Sequence, residues 1–297
     1  MNNKSTPIIF GEVLYDCFPD GRQVLGGAPF NVAWHCQAFG LNPVFISRVG
    51  SDELGEKIKN AMLEWGMDTR GLQVDNDHPT GKVEVTINNG EPSYDIVPGS
   101  AWDFINKEQL PELENNLLLY HGSLILRNNV SKDALMSLKA KFNLPVFVDI
   151  NLREPWWELS TVRDLVKSCN WLKLNENELA IILPDLQEAS EAISILQSEN
   201  LLDMIIVTRG DKGAVVMTPD ESFLDIAPEL NMSVIDTVGA GDAFSSIFLV
   251  GHYYQWPLPI ILRRAQEFAS AIVGIRGATI NDVSFYLPFI NEWQLSS

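Results

Sequence analysis

The sequence has few cysteines and no long apolar run. Its three cysteines, Cys17, Cys36 and Cys169, are too few and too scattered for a disulfide framework or a CxxC metal site. This usage predicts a reducing compartment, and hence a cytoplasmic protein. No stretch approaches the ~20 apolar residues that a membrane-spanning helix needs. The first residues, MNNKSTPIIFGEV, do not predict a signal peptide.

Basic residues are also scarce. The chain has 21 lysines and arginines against 39 aspartates and glutamates, which gives a formal net charge of -18. A nucleic-acid partner requires a positive surface, so that class of function is excluded. The acidity also opposes anionic substrates at long range, although a local pocket can override such a field.

Short apolar runs alternate with amphipathic stretches along most of the 297 residues. The predicted strands are PIIFGEVL, PVFISRVG, LLLYHGSLIL, PVFVDINL, WLKLN, DMIIVTRG and GAVVMTP. The predicted helices are FNVAWHCQAFG, ELGEKIKNAMLEW, SKDALMSLKAKF, ENELAIIL, LQEASEAISILQSE, DAFSSIFLVGHYY and LPIILRRAQEFASAIVGI. Strands this apolar, each followed by a helix, predict a doubly wound α/β fold with a mostly parallel sheet and helices on both faces. We expect one domain over residues 1–297 and ligands at the carboxyl ends of the strands.

One segment, residues 79–98, departs from this pattern. It alternates apolar and polar residues, and the Asn-Gly pair at 89–90 favours a tight hairpin turn. We expect an antiparallel β element that pairs with residues 13–25, either as an edge decoration or as a lid over the site. Its apolar side chains should face the ligand pocket or a second copy in a homodimer: Val83, Val85 and Ile87.

Two glycine-containing stretches are candidates for ligand binding. In VLGGAPFNVAWH, Gly26 and Gly27 allow close approach of a ligand, and Asn31 offers a donor and an acceptor to a neutral polyol. An ordinary helix start beginning at Pro29 explains this stretch equally well.

In MIIVTRGDKGAVVM, a strand ends at Thr208 and the chain turns through Gly210 and Gly213. This turn is either a plain hairpin or a backbone shelf for a nucleotide.

A third stretch, DTVGAGDAF, places Gly239, Ala240 and Gly241 before an apolar helix. Successive amides at a helix N-terminus form an anion cradle. The stretch has no Lys of a Walker A loop, and Phe244 replaces the third small residue of G-x-G-x-x-G. A cradle with Asp242 at its mouth suits phosphoryl transfer, in which the carboxylate accepts a hydroxyl proton. A simple helix-start turn has the same local appearance.

Together these motifs resemble the PfkB family of ribokinase-type carbohydrate kinases. DTVGAGDAF resembles the C-terminal motif of the family, GGAPFNVA followed by FISRVGSDELGEKI resembles the N-terminal one, and NENE at 175–178 matches its N-x-x-E element. The pattern runs through essentially the whole chain and implies the ribokinase-like fold. By this resemblance Asp242 is the general base, and the amides of Gly239, Ala240 and Gly241 form the anion hole.

The resemblance also implies roles in ligand binding. The positions that match sugar-binding residues of the family are Asp16, Gly26, Gly27, Asn31 and Arg153. The positions that match ATP contacts are Asn175, Thr208, Gly210 and Gly213. Glu178 would hold Mg²⁺ through water, as Mg²⁺ keeps much of its hydration. Asp236 and Val238 match a monovalent cation site, but the region near Gly277 and Asn281 departs from the pattern and leaves K⁺ dependence open.

GGAPFNVA and VDINLREPWW resemble the fructokinase branch of the family, which implies phosphorylation of D-fructose to fructose 6-phosphate. Ribose, a nucleoside or a sugar acid such as 2-keto-3-deoxygluconate stays open as the acceptor. A sugar-binding regulatory protein without activity is the alternative from another class, because a fold does not guarantee chemistry.

Overall fold

The computed structural model describes residues 6–88, 91–113, 117–186, 188–228 and 234–295. Its strands are β1 (Thr6–Phe10), β2 (Leu14–Cys17), β3 (Gln23–Gly26), β4 (Val44–Gly50), β5 (Leu72–Asp75), β6 (Gly81–Asn88), β7 (Glu91–Ile96), β8 (Leu117–Gly122), β9 (Val146–Asp149), β10 (Trp171–Asn175), β11 (Met204–Thr208), β12 (Ala214–Met217) and β13 (Phe223–Ile226). Its helices are α1 (Ala28–Ala38), α2 (Glu53–Glu64), α3 (Asn129–Phe142), α4 (Leu159–Lys167), α5 (Glu176–Ile182), α6 (Ala189–Asn200), α7 (Ala240–Tyr253), α8 (Leu258–Val273) and α9 (Val283–Glu292).

A nine-stranded sheet forms the centre of the described residues, in the order β13-β12-β11-β10-β9-β8-β1-β4-β5. The ladders from β5 to β11 are parallel, and only the pairs β11–β12 and β12–β13 are antiparallel. Strands such as β8 are buried at every residue because helices cover both faces of the sheet. The predicted doubly wound, mostly parallel fold is confirmed.

Each face of the sheet has its own apolar core. One core combines side chains of α1, α2, α7, α8 and α9 with sheet residues such as Phe147 and Ile206. The other combines side chains of α3, α4, α5 and α6 with the opposite face of the same strands. This arrangement puts the N-termini of α1 and α7 side by side above the carboxyl edge of the sheet.

A second sheet of four strands, in the order β3-β2-β6-β7, corresponds to the predicted β element. The pairs β2–β3 and β6–β7 are antiparallel, as expected, whereas the β2–β6 ladder that joins them is parallel. Val83 and Val85 are buried within this chain, in the core that includes Leu14 and Trp102. Their burial therefore requires no partner chain. The turn at 89–90 and the side chain of Ile87 lie outside the described residues.

The predicted elements differ from the observed ones where tertiary contacts decide the local structure. Residues 124–126 were expected to continue β8, but Leu124–Arg127 forms a 3-10 helix. The sequence analysis did not predict α4, which has only 9 residues, or α9, which contains Pro288. Cys17, Cys36 and Cys169 are free thiols, as expected. Among the described residues, no helix is both long and apolar enough to cross a membrane.

The packing of α7 on the sheet yields a stability prediction. Phe248 is 2% exposed, and its ring lies 5.7 Å from that of Phe147 and 6.3 Å from that of Trp171. We expect Phe248→Ala to lower the free energy of unfolding by about 3–5 kcal/mol, because it leaves a cavity under α7. Urea unfolding measures the loss. Phe223→Ala, at a ring that is 43% exposed, is the control and should cost below about 1 kcal/mol.

Candidate active site

The N-terminus of α7 forms a cradle of backbone amides. Gly239 precedes the helix with φ 81°, and a Cβ there would lie 2.5 Å from the Cβ of Ala278. Only glycine satisfies both constraints. The first amides of a helix have no partner within it. The amide of Ala240 makes a long hydrogen bond of 3.4 Å to the carbonyl oxygen of Thr237, and both it and the amide of Gly241 lie at the positive end of the helix dipole. The geometry can hold an anion at the place where the sequence predicts one.

Asp242 lies in the first turn of α7 and contacts the start of α1. Its Oδ2 accepts a hydrogen bond of 2.7 Å from Nδ2 of Asn31. Burial raises the pKa of Asp242 to about 6, against the hydrogen bond from Asn31, which lowers it. The carboxyl group is therefore a proton acceptor whose pKa lies close to neutral pH.

The turn before α1 and the start of that helix lie next to Asp242 and carry three of the predicted acceptor-binding residues. Gly27 has φ 111°, and a Cβ there would lie 2.7 Å from the carbonyl oxygen of Glu12. Pro29 then starts the helix, as expected. Asn31 is buried, and its Oδ1 has no hydrogen-bond partner within the described residues, so an acceptor is left for a ligand hydroxyl.

Asp16 and Arg153, the remaining predicted acceptor-binding residues, belong to two other segments of the chain. Asp16 lies on β2 of the small sheet, and burial raises the pKa of its carboxyl to about 6. The charge of Arg153, whose side chain is exposed, lowers the pKa of both Asp16 and Asp242. Three of the predicted acceptor-binding residues, Asp16, Asn31 and Arg153, thus interact with one another or with Asp242.

A cleft of about 530 Å³ opens on the other side of the cradle. It is lined by Thr208, Gly210, Asp211, Gly213, Pro228, Val234, Thr237, Ala240, Gly241, Phe244, Gln266, Ala269, Ser270 and Val273. Gly210 and Gly213 have positive φ, and a Cβ on Gly213 would collide with the carbonyl oxygen of Ile226. The positive φ favours glycine at both positions, and the approach of β13 excludes a side chain at 213. The turn also forms the floor of the cleft. A volume of this size suits a nucleotide.

Asn175 and Glu178 form a capping box at the start of α5. Oδ1 of Asn175 accepts from the amide of Glu178 at 2.9 Å, and Oε2 of Glu178 accepts from the amide of Asn175 at 2.8 Å. Oε1 of Glu178 accepts from the amide of Leu152 at 2.7 Å. The N-x-x-E element therefore has a folding role in its own right. Its role toward Mg²⁺ stays a prediction.

The predicted monovalent cation site lies in the loop before α7. Oδ1 of Asp236 accepts from the amide of Val238 at 3.0 Å, and Oδ2 accepts from the amide of Gly277 at 3.3 Å. The loop is therefore in contact with the region where the sequence departs from the family pattern. Within residues 6–88, 91–113, 117–186, 188–228 and 234–295, no three His, Cys, Asp or Glu residues form a group that could hold a metal.

Several polar residues of the site carry no role in the sequence motifs. Glu12 is buried, its Oε2 has no hydrogen-bond partner in the described part of the chain, and burial raises its pKa to about 7. Asp149 and Lys173 form an ion pair of 2.7 Å below the cradle. Asp149 lies in VDINLREPWW, the stretch that resembles the fructokinase branch, so the sequence carried a signal for it. Lys173 is the charged residue of the buried strand WLKLN, and this was a local signal that the motifs did not use.

The model of the pfkB family of carbohydrate kinases matches residues 12–284. The chain belongs to this family. Fructokinase of Escherichia coli is 31% identical over 257 residues, which cover 82% of this kinase and 83% of that protein.

Solved structures show the same fold. A double mutant of fructokinase from Vibrio cholerae, bound to fructose, ADP and a potassium ion, superposes with a TM-score of 0.83 at 25% identity and covers 97% of this kinase and 99% of that chain. Aminoimidazole riboside kinase of Salmonella enterica, complexed with aminoimidazole riboside and an ATP analogue, gives a TM-score of 0.83 at 21% identity and covers 98% and 99% of the two chains. Their acceptors differ, so the fold does not specify the substrate.

The raised pKa of Asp242 predicts that its ionised carboxyl group destabilises the folded protein at neutral and higher pH. A carboxyl whose pKa is about 6 in the folded state and about 4 in the unfolded state destabilises the fold above pH 6 and has no effect below pH 4. We expect Asp242→Asn to raise the free energy of unfolding at pH 8 by about 1–2 kcal/mol, after allowance for partial exposure.

Denaturant titrations at pH 4 and pH 8 measure this difference. Asp282→Asn is the control, because the carboxylate of Asp282 caps α9 and its pKa is lowered, which reverses the sign of the effect. Equal stabilisation of Asp242→Asn at both pH values would contradict the prediction.

Proposed function

We propose that this kinase transfers the γ-phosphoryl group of ATP to a sugar hydroxyl, with D-fructose as acceptor and fructose 6-phosphate as product. The observation that carries the proposal is the position of Asp242. It lies between the amide cradle, which continues into the 530 Å³ cleft, and Asn31, a predicted acceptor-binding residue. A hydroxyl bound by Asn31 would have a proton acceptor on one side and an anion site on the other.

Each residue then has a defined task. Asp16, Asn31 and Arg153 bind and orient the sugar, while Gly26 and Gly27 allow it to approach the backbone closely. Asp242 accepts the proton of the attacking hydroxyl. The amides of Gly239, Ala240 and Gly241 hold the negative charge of the phosphoryl oxygens during transfer.

ATP would occupy the cleft beside the β11–β12 hairpin, with Thr208, Gly210 and Gly213 along one wall and the small residues of α8 along the other. The V. cholerae fructokinase bound to ADP and potassium supports a nucleotide and a cation in such a site. Mg²⁺, held through water near Asn175 and Glu178, would screen the phosphate charge. The carboxylate of Asp236 and the carbonyl of Val238 provide the oxygen ligands that K⁺ requires.

The small sheet is proposed to act as a lid over the acceptor pocket, formed by residues 13–25 and 79–98 of a single domain. Asp16 shares a register position with Val83, whose side chain is buried, so the polar residue continues the inner face of the sheet toward the pocket. Closure would exclude water, which otherwise competes with the sugar for ATP. The exposed edge of β7 leaves a surface for a homodimer.

A sugar acid is the second candidate acceptor, and Arg153 is the observation that favours it. An exposed guanidinium near the pocket could pair with a substrate carboxylate. The charge of Arg153 already acts on the carboxyls of Glu12 and Asp16, which compete with a substrate carboxylate for it. For this reason a neutral ketohexose is the preferred substrate.

Acceptor identity can be tested by ADP release from ATP and Mg²⁺ with a panel of acceptors. We expect turnover with D-fructose that exceeds turnover with ribose, 2-keto-3-deoxygluconate and nucleosides by at least about 10-fold, the scale of one to two polar contacts. If turnover were higher with a sugar acid or a nucleoside than with fructose, that compound would be assigned as the substrate in place of fructose. Binding of fructose without any ADP release would instead support a regulatory sugar-binding protein.

The role of Asp242 can be tested in the same assay. Asp242→Asn should lower turnover at least ~100-fold, because the general base is lost, while calorimetry still detects ATP binding. In the parent enzyme, kcat/KM should fall as the pH drops below about 6, since protonated Asp242 cannot accept a proton. Asp282→Asn should keep the parental turnover. A turnover of Asp242→Asn within a few-fold of the parent's would refute the assignment.

A further inference from the structure

A buried ion pair lies directly below the cradle. Asp149, the last residue of β9, is the register partner of Lys173, the middle residue of the adjacent parallel strand β10. Their side chains are 7% and 5% exposed, and Nζ of Lys173 lies 2.7 Å from Oδ2 of Asp149. Neither residue belongs to the machinery assigned above.

The pair is connected to the first turn of α7. Oδ2 of Asp149 also lies 2.8 Å from the hydroxyl of Ser245 and accepts from the Tyr120 hydroxyl at 3.1 Å. The Ser245 hydroxyl lies 3.1 Å from the carbonyl oxygen of Gly241, so it can donate either to the pair or to the cradle turn. A Cβ on Gly241 would lie 3.4 Å from Nζ of Lys173, which shows how closely the ammonium group approaches this turn.

Stability alone gives little reason for such a pair. Removing two charges from water costs about as much free energy as their attraction returns, and apolar side chains of similar volume are often as good or better at such positions. The neighbours of the pair on this face are apolar and aromatic, such as Phe147 and Trp171. An ion pair at the edge of an apolar core, in contact with one particular helix turn, is better explained by its effect on that turn.

We propose that the Lys173–Asp149 pair is a positioning element that fixes the first turn of α7 and sets the protonation state of Asp242. The proposal rests on the proposed role of Asp242 as the proton acceptor. The contacts with Ser245 and Gly241 hold the first turn of α7 in place, and the charges of the pair act on the carboxyl group of Asp242.

The two charges of the pair act on Asp242 with opposite signs. The carboxylate of Asp149 raises the pKa of Asp242, and the ammonium group of Lys173 lowers it. The polar and charged groups that face Asp242 from the surrounding elements are Glu12, Asn31, Tyr120, Asp149, Arg153 and Lys173. Removing either partner of the pair therefore changes the balance in a direction that can be stated in advance.

The test is the pH dependence of kcat/KM with D-fructose and ATP in single variants. Asp149→Asn should move the acidic limb about one pH unit lower, and Lys173→Met should move it about one unit higher, the scale for a nearby charge. Lys139→Met is the matched control. Lys139 is half-buried, whereas Lys173 is buried, and it donates to Ser168 at the amino-terminal edge of the sheet. The acidic limb of the pH profile of Lys139→Met should coincide with that of the parent enzyme.

Opposite displacements of the two limbs support the proposal. Limbs that stay at the parental position, or that move in the same direction, would overturn it, because a purely structural role predicts no opposing shifts. If Lys173→Met does not fold, the Asp149→Asn variant decides alone, because asparagine keeps a polar group of the same shape. An acidic limb at lower pH supports the proposal, and a limb at the parental pH or higher overturns it.

A measurement without substrate separates the pair from the proposed function. The stability gained from Asp242→Asn between pH 4 and pH 8 should become smaller in the Asp149→Asn background, because the pKa of Asp242 is then less raised. An unchanged gain would count against the pair even in an active enzyme. Absence of turnover in the parent with every acceptor would refute the proposed function and leave this thermodynamic test standing.

Discussion

The hydrogen bond between Asn31 and Asp242 is the contact on which the site depends. It joins side chains that are 211 positions apart in the sequence and that lie at the starts of two different helices. α1 packs against α7 along their lengths, with the thiol of Cys36 3.8 Å from the carbonyl oxygen of Ser246. The two helix starts are thereby held at one level. Without that alignment, the amide cradle and the acceptor pocket would not share a carboxylate.

The chain is acidic overall, and three of its carboxyl groups have their pKa values shifted at or around this contact. Glu12, Asp16 and Asp242 all have raised pKa values, and burial is the largest cause for each of them. Arg153 is exposed and offsets this only in part. A carboxyl group with a raised pKa carries less negative charge near neutral pH than an exposed one does. This reduces the repulsion that the proposed polyphosphate ligand would meet in a negatively charged protein.

Much of the fold could be predicted from the sequence because its strongest signals are local. The apolar strands, the glycine that precedes α7 and the Pro that starts α1 each express a constraint on a few neighbouring residues. The cradle was predictable for the same reason. The contacts of Lys173 and Glu12 were not, because their surroundings are made by segments far apart in the chain. The 3-10 helix at Leu124–Arg127 was likewise decided by packing rather than by its apolar composition.

The capping box at Asn175 and Glu178 bears on how inactive relatives of this fold can be recognised. Because both side chains close the first turn of α5, and Glu178 also accepts from the amide of Leu152, a chain that had lost its chemistry would still gain stability from them. The same holds for Gly213, where the carbonyl oxygen of Ile226 on β13 leaves no room for a side chain. Asp242, by contrast, is expected to impose a cost on the folded state. Under its proposed role, its presence would distinguish an enzyme from a protein that keeps only the architecture.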